Sequence, residues 1–543
     1  MGAGSLTDRP VSAESSSWKL APPDDANTQG IVVSGFAALE AAQALFLKCT
    51  WPEDHPPARK GAWLEALLAI APITDSDGKD PRAASLAFTW VGLQKSGLDA
   101  DALASFSAPF REGMYQEDRL RRLGDKVKDE WQGSVIAGGP LWSANTPIKD
   151  DRPPPLPPLP SGKRLPVPEA PRQVTTPLTV HALLLLYETD LSKVQDWAKK
   201  IEQTLAAHDV AIVHRLELSL HADEKGLVRE HFGFADGLSQ PIPFGAPDSG
   251  EAGKVLVDDK PSPRDPWHGV PLGEILLGHT NAHAEKSPGP LVADGTGREV
   301  GLTPDGAPAG SLNFGLNGSY MVVRELRQYV GKFWRALEQN AQTIRAHDPA
   351  ATHVTADWLA ERIVGRDLEG HALCPAGRRA PDSNGVPDNA FGYYKDDPYG
   401  SGCPMGSHVR RANPRDGLAK TPGATQTLLD AANNHRILRR GRKFGDLAQR
   451  RDEDDGKERG LLFICLNADI ARQFEFVQQT WILNKNFATL YDETDPLVGP
   501  KGGFTIGEQP LRRIVEVETF IQSAGGEYFF LPSLPAIKYL ASL

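Results

Sequence analysis

The sequence predicts an α+β fold of two ferredoxin-like (split βαβ) halves, with antiparallel sheets packed together and helices outside. Three observations carry this expectation. Apolar strand-like runs and amphipathic helix-like runs follow one another as strand, helix, strand, and then do so again within the first half. The same theme recurs in the second half. At 543 residues and 40% hydrophobic content, the chain can bury a core large enough for two such units.

In chain order, the first half reads as a strand at Ile31–Ser34, a helix at Ala37–Lys48 and a strand at Leu86–Gly92. A helical stretch and the proline tract Arg152–Pro160 follow; the tract reads as an extended polyproline spacer or surface strap. Next come a strand at Val180–Tyr187, a helix at Leu191–Ala207 and a strand at Ala211–Leu218. Residues 242–311, rich in Gly, Pro and Asp, read as a long excursion of the kind that is functional or disordered. The second half opens with a strand at Gly318–Arg324 and a helix at Gln328–Ala346. Strands at Ile437, Leu461 and Tyr528 then interleave with a long helix from Ala468. The expected division is 1–225, a first half with an N-terminal arm and the strap; 226–311, a connection; and 312–543, the second half.

Composition narrows the function. A balance of 59 Lys+Arg against 70 Asp+Glu, net −11, argues against nucleic acid as partner. No apolar run approaches the ~20 residues needed to span a bilayer. The N-terminus has neither a basic nor an apolar signal region, and four dispersed cysteines suit a reducing compartment, so a cytoplasmic location is expected. Asp75–Asp80 hints at a calcium loop, but position twelve would be Leu86, not Glu. No zinc spacing, nucleophile elbow or H-E-x-x-H motif is present.

Four segments carry chemistry. Glu230-His-Phe-Gly-Phe-Ala-Asp-Gly-Leu-Ser-Gln-Pro241 sets Asp236 among flexible Gly233 and Gly237 and the rings Phe232 and Phe234. Apolar walls are expected to raise the proton affinity of such an acid; alone, the motif is also a tight turn with a solvated carboxylate. Cys403-Pro-Met-Gly-Ser-His-Val-Arg-Arg-Ala-Asn-Pro-Arg415 offers one imidazole, His408, as a metal or haem-iron ligand. Arg410 or Arg411 could reach a porphyrin carboxylate from the same segment, since a guanidinium fork matches that group. A thiolate from Cys374 or Cys403 is the alternative ligand. In His435-Arg-Ile-Leu-Arg-Arg-Gly-Arg-Lys-Phe-Gly445, Arg439 ends a short apolar strand, where a buried cation calls for an anionic partner. Gly460–Gln479 reads as a buried strand entering a helix, with Leu461 and Phe463 in register to roof a cofactor.

Together these segments resemble the dye-decolourising, DyP-type haem peroxidases. Gly233-Phe-Ala-Asp-Gly237 has that family's G-x-x-D-G pattern, Ser407–Arg415 resembles its proximal-histidine segment, and Ile437–Gly445 its distal-arginine segment. Arg442-Lys443 departs from the family, which has an apolar residue and a proline there. The order acid, histidine, arginine, apolar wall is also the family's. The length and the Ala468–Phe476 helix look most like its larger bacterial members made without a secretion signal.

The resemblance implies a dimeric α+β barrel type of fold binding haem b (iron protoporphyrin IX). His408 would be the iron ligand, Asp236 and Arg439 the catalytic pair, and Gly233, Phe234, Ala235, Gly237, Arg410, Arg411, Leu461 and Phe463 the cofactor's surroundings. The implied partners are hydrogen peroxide and aromatic electron donors such as dyes and phenolics, with neither nucleic acid nor membrane, and with homo-oligomerisation left open. An expected magnitude for Arg439 is on the order of 3 kcal/mol off the barrier. Bulky donors are expected to react at the haem edge or at surface Tyr or Trp. The alternative is a haem carrier or iron-releasing protein on the same scaffold.

Overall fold

Eight strands close a barrel around the core. The computed structural model describes residues 18–543 apart from 79–80, 147–169, 221, 224–226, 246–253, 258, 288, 296, 298–300, 375–388 and 509–511. The N-terminal arm and the proline tract expected from sequence lie outside the described residues.

The first half contributes β1 (Ala41–Cys49), β2 (Ala83–Phe88), β3 (Ala182–Glu188) and β4 (Val210–Ser219). They stand in the order β4-β1-β3-β2, with helices α1 (Ala62–Ile70) and α2 (Leu191–Ala206) as crossovers. That is the strand order of a split βαβ unit. The second half repeats it. Here β5 (Ser319–Gln328), β6 (Arg442–Phe444), β7 (Gly460–Asn467) and β8 (Ile521–Leu531) stand in the order β6-β7-β5-β8. Helix α3 (Val330–His347) joins the first pair. Chain order then places the short α4 (His408–Ala412) before β6. A π-wound pair of turns, Ala471–Glu475 and Val477–Ile482, follows β7.

The two sheets are not merely stacked. They join edge to edge at both ends, through Lys443 and Phe444 on Ser219 and Leu218, and through Phe530 on Phe88. Closure leaves no free sheet edge in the ring. The interior faces are apolar: Phe46, Leu183, Leu185, Val323 and Phe529 belong to one buried cluster, while Leu45, Leu184 and Leu186 face the outer helices. Helix α2 shows why the outer layer docks. Asp190 caps its N-terminus by accepting the Lys193 N–H at 3.0 Å, and Val194, Trp197, Ala198, Ile201 and Leu205 form its buried stripe. Fully burying a side chain the size of Val194, Ile201 or Leu205 contributes about 1.5–3 kcal/mol.

Two early elements differ from expectation. The run at 37–48, expected as a helix, is the strand β1, and Ile31–Ser34 is replaced by a 3₁₀ turn at Gly30–Val32. Alanine and leucine are good helix formers, but tertiary packing overrides that preference, and a strand covered on both faces reads as a continuous apolar run. All residues of β1 but Lys48 are buried. Trp90–Lys95, partly assigned to a strand, is helical from a cap at Thr89. The expected excursion 242–311 packs in part against the barrel: Glu274 is fully buried and paired with Arg472 at 2.6 Å.

Candidate functional site

Asp236 stands on the loop that leaves β4. Gly233 and Gly237 take φ of 103° and 78°, the left-handed backbone that glycine tolerates and that turns this loop twice within five residues. The loop is pinned by Asp236 N–H on the Val228 carbonyl (3.0 Å) and Ala235 N–H on that of Leu368 (3.2 Å). One carboxylate oxygen, Oδ1, accepts from Gly237 N–H at 2.7 Å and from Arg439 Nη1 at 3.0 Å. Oδ2 has no protein partner among the described residues.

Burial by itself would raise this carboxyl. The charge of Arg439, the Gly237 N–H, the Arg439 hydrogen bond and the charge of His408 outweigh it, and the group lies below the usual carboxylate value. The expected rise is therefore corrected: apolar walls are present, but a guanidinium in contact overrides them.

Arg439 is placed by a two-residue strand, Leu438–Arg439, whose partners on β7 are Leu466 and Cys465. Gln240 brackets its backbone, accepting from Arg439 N–H (3.0 Å) and donating to its carbonyl (3.2 Å). Gly441 lets the chain lie flat on β7, since a Cβ there would stand 2.6 Å from the Leu462 carbonyl oxygen. The departure at Arg442-Lys443 is likewise explained. Arg442 donates to the carbonyls of Leu39, Gly35 and Phe36, and Lys443 Nζ to that of Arg229. These two long donors tie β6 to the N-terminal segment on one side and to the Asp236 loop on the other.

Asp236 and Arg439 border a cleft with about 540 Å³ of empty space, walled by Leu220, Val228, Leu461, Phe463 and Ile464. Gly237 also lines it, whereas Gly233, Phe234 and Ala235 do not; Phe234 is instead packed in the apolar cluster beneath helix α3.

His408 begins α4, where Ser407 Oγ donates to the Arg362 carbonyl at 2.5 Å. Its Nδ1 meets Asp495 Oδ2 at 2.9 Å. Asp495 is fully buried, and its Oδ1 accepts from Leu497 N–H (2.8 Å) and Val498 N–H (3.0 Å). A carboxylate held this way accepts the Nδ1 proton and leaves Nε2 as the basic atom. Nε2 has no protein partner among the described residues. Burial lowers the proton affinity of His408, but the charge and hydrogen bond of Asp495 raise it further, for a net increase; Arg439 and Asp236 also act on it through space.

His408 keeps 29% of its side-chain surface uncovered, Asp236 36% and Arg439 34%. Burial is nevertheless the largest single influence on both His408 and Asp236. For Asp236 and Arg439 the uncovered surface faces the cleft.

Arg410 and Arg411 do not join this site, contrary to expectation. Arg410 lies over Tyr393 at 4.4 Å and donates to Asp397 and to the Cys403 carbonyl. Arg411, with no exposed surface, spends its donors on the carbonyls of Gly406, Trp481, Ile482, Asn484 and Glu493. Guanidinium groups committed in this way have little left for a porphyrin carboxylate. Cys374 and Cys403 are buried too, and burial raises both thiols, Cys374 to about 12, which disfavours a thiolate ligand.

Two residues escaped sequence reasoning. Asp495 is 87 positions from His408, in an acid-rich run where nothing singles it out. Arg436 is 7% exposed, and its Nη1 is buried with no acceptor among the described residues. Burial, then Arg415 and Arg439, lower its guanidinium to about 9. The one signal in sequence is a charge beside the apolar pair Ile437-Leu438, three residues before Arg439. A porphyrin asks for an axial base, an apolar slot and cations for its carboxylates. His408, the walls of Leu461 and Phe463, and the buried cation of Arg436 with its free Nη1 meet those demands, so the residues fit haem. No cluster of three or more His, Cys, Asp or Glu suited to a bare metal ion occurs among the described residues.

The fold is that of the dye-decolourising, DyP-type peroxidases. A dye-decolorizing peroxidase in complex with 2,6-dimethoxyphenol aligns with a TM-score of 0.66 at 21% identity, over 96% of this chain and 100% of the other. A DyP-type peroxidase from Anabaena sp. aligns with a TM-score of 0.64 at 23% identity, over 95% and 94%. No model of a known protein family matches the chain. In sequence it is similar to the multifunctional dye peroxidase DyP2 of Amycolatopsis sp., 29% identical over 387 residues, 67% of this chain and 71% of the relative. It is also similar to the dye-decolorizing peroxidase msp1 of Mycetinis scorodonius, 27% identical over 397 residues, covering 67% of this chain and 66% of that protein. The chain thus shares the fold of the DyP-type peroxidases and is similar in sequence to members of that family.

Proposed function

We propose that the chain is a haem-dependent peroxidase that reduces hydrogen peroxide and oxidises bulky aromatic donors one electron at a time. The observations that support the reading are the Asp236–Arg439 pair at a cleft walled by Leu461 and Phe463, and a His408 braced by Asp495 and near enough to feel the charges of both.

In this reading His408 Nε2 would hold the haem iron, and Asp495 keeps that atom basic by accepting the Nδ1–H hydrogen bond. Arg436 would hold a porphyrin carboxylate. When bound, the haem supplies the redox chemistry, storing the oxidising equivalents of peroxide and returning them singly to donors. Asp236 Oδ2 accepts a proton from the incoming peroxide and returns it to the departing oxygen. Arg439 holds Oδ1 and sets a fixed positive charge where negative charge develops. Leu461 and Phe463 exclude water, which strengthens that field. Because Asp236 stays ionised below the usual carboxylate range, the proton carrier remains competent in acid.

The relatives are named as dye peroxidases, and one structural neighbour is a complex with 2,6-dimethoxyphenol; dyes and phenols are the donors we assign here. His408, Arg436, Arg439, Leu461 and Phe463 all come from residues 312–543, with Asp236 reaching in from the connection. Cysteine usage leads us to place the protein in the cytoplasm.

An absorption spectrum of the purified chain is the first test, with a Soret band expected and lost in His408→Ala. Peroxide with a phenol or an anthraquinone dye should then give many turnovers. Bleaching that stops at one equivalent identifies a haem carrier, and a chain that stays colourless with added haemin ends the reading.

A further inference from the structure

Behind Asp236 lies a second acid, Glu230. Its Oε2 accepts from Phe232 N–H (2.8 Å) and from the Gln328 amide (2.7 Å), and its Oε1 from Phe234 N–H (2.9 Å). The backbone of the same residue closes the turn: Glu230 N–H donates to the Phe234 carbonyl and Gly233 N–H to that of Glu230, each at 3.0 Å. Gln328 is the last residue of β5, and two residues earlier Leu326 is paired with the cleft-lining Leu461. Glu230 therefore fastens the loop bearing Asp236 to the sheet that forms the opposite wall of the cleft.

We propose that the ionised carboxylate of Glu230 is the positioning residue for Asp236, setting where that acid stands over the cleft. The proposal rests on the reading of Asp236 as proton carrier. Three donors converge on two oxygens, and only a carboxylate answers all of them. In Glu230→Gln, one end of the amide is an NH₂ group that must face a backbone N–H or the Gln328 amide, donor to donor. One tether is lost and a repulsion replaces it, in a loop only two turns long.

The charged groups facing Glu230 are Asp236 on its own loop and Lys443 on β6. His231 beside it is lowered to about 4, first by burial, and so is neutral; its Nε2 donates to the Phe444 carbonyl at 2.8 Å. Burial pushes the Glu230 carboxyl up to about 7, against the pull of the two N–H groups and Gln328, with the Asp236 charge adding to the rise. A dependence on charge at this residue is thus readable near neutrality.

The test uses the full-length, haem-loaded protein. Hydrogen cyanide must surrender its proton to bind as the anion, so its association rate reports on Asp236 without turnover; the spectral change with peroxide reports on it in the reaction. At about pH 8, Glu230→Gln is expected to slow both by about tenfold, since small misplacements of a reacting group cost at least this much. Gln328→Leu, which removes one tether and leaves the acid, should slow them by roughly threefold and serves if the first variant folds poorly. The Glu230→Gln/Asp236→Asn double variant should be no slower than Asp236→Asn alone. At about pH 5 the wild-type carboxyl is itself protonated, and the gap should close to roughly twofold. Rates for Glu230→Gln within about twofold of wild type at pH 8, beside a slow Asp236→Asn, overturn the proposal, as do losses that multiply in the double variant. An Asp236→Asn protein with unchanged rates removes the reading of Asp236, and this proposal with it.

Discussion

Replacing Arg439 with leucine removes the guanidinium that touches Asp236 Oδ1 at 3.0 Å and leaves Gly237 N–H as the remaining donor to that oxygen. Two consequences follow, one on rate and one on pH. A fixed donor lost from a site of developing charge costs about 10²–10³ in rate, or roughly 3–4 kcal/mol. The pH effect follows from the balance on Asp236, where burial raises the carboxyl and Arg439 is the leading group that lowers it. An opposite charge at contact distance is worth about 1–3 pKa units, so its loss should carry the acid limb of the peroxide reaction upward by that amount.

Stability must move consistently with this. In the wild type the folded carboxyl lies below its unfolded value, so its contribution is present above about pH 4 and is lost as pH falls through the lowered folded value. In Arg439→Leu the sign reverses, because an ionised Asp236 is then buried with less compensation. The difference in Tm between the two proteins should therefore widen from pH 3 to pH 6. Stopped-flow mixing with peroxide across that range, on protein whose Soret band confirms equal haem content, measures the first two effects, and thermal unfolding the third. An acid limb that stays in place, with rates within about threefold of wild type, would refute the assignment of Arg439 as the group that keeps Asp236 ionised.

Three further variants separate ligand-holding from framework roles. In Asp495→Asn the amide oxygen satisfies the Leu497 and Val498 N–H groups, which turns the NH₂ toward His408 Nδ1 and forces the ring proton to Nε2. Haem titration should show affinity weakened by about 10–100-fold, and unchanged affinity would dismiss Asp495 as the brace. Arg436→Leu removes a buried cation with an unpaired Nη1. The haem-free protein should unfold at a higher temperature while haem dissociates about tenfold faster, and a less stable haem-free protein would contradict the claim. Arg411→Leu strands the carbonyls of Trp481, Asn484 and Glu493. It should cost about 3 kcal/mol or more in denaturant unfolding, with the Soret band of the folded fraction unchanged; lost haem at full stability would return Arg411 to the porphyrin.

The fold was legible wherever a segment has one wet face. The apolar stripe of α2 reports its element directly from residue order. It was illegible at β1, because a strand covered on both faces by a closed barrel carries no alternation, and its Ala and Leu then read as helix. For the site, Asp236, His408 and Arg439 could be singled out because each stands in a local motif whose glycines or neighbours serve it. What motifs cannot convey is where a long side chain ends.

Arg410, Arg411, Arg436, Arg439, Arg440 and Arg442 are alike in sequence, yet most finish on backbone carbonyls. Arg440 reaches Val32 at 2.8 Å and Arg442 reaches Leu39 at 2.6 Å, each across some four hundred residues of chain. Such carbonyls exist only once the two halves have met. A buried guanidinium that finds them becomes framework, and one that does not, such as Arg436, keeps a buried Nη1 with no acceptor among the described residues. The distinction between structural and ligand-binding arginines is thus set by tertiary closure and not by local sequence. The same holds for Glu230: it lies inside the motif that exposes Asp236, but its role depends on Gln328, 98 residues further on.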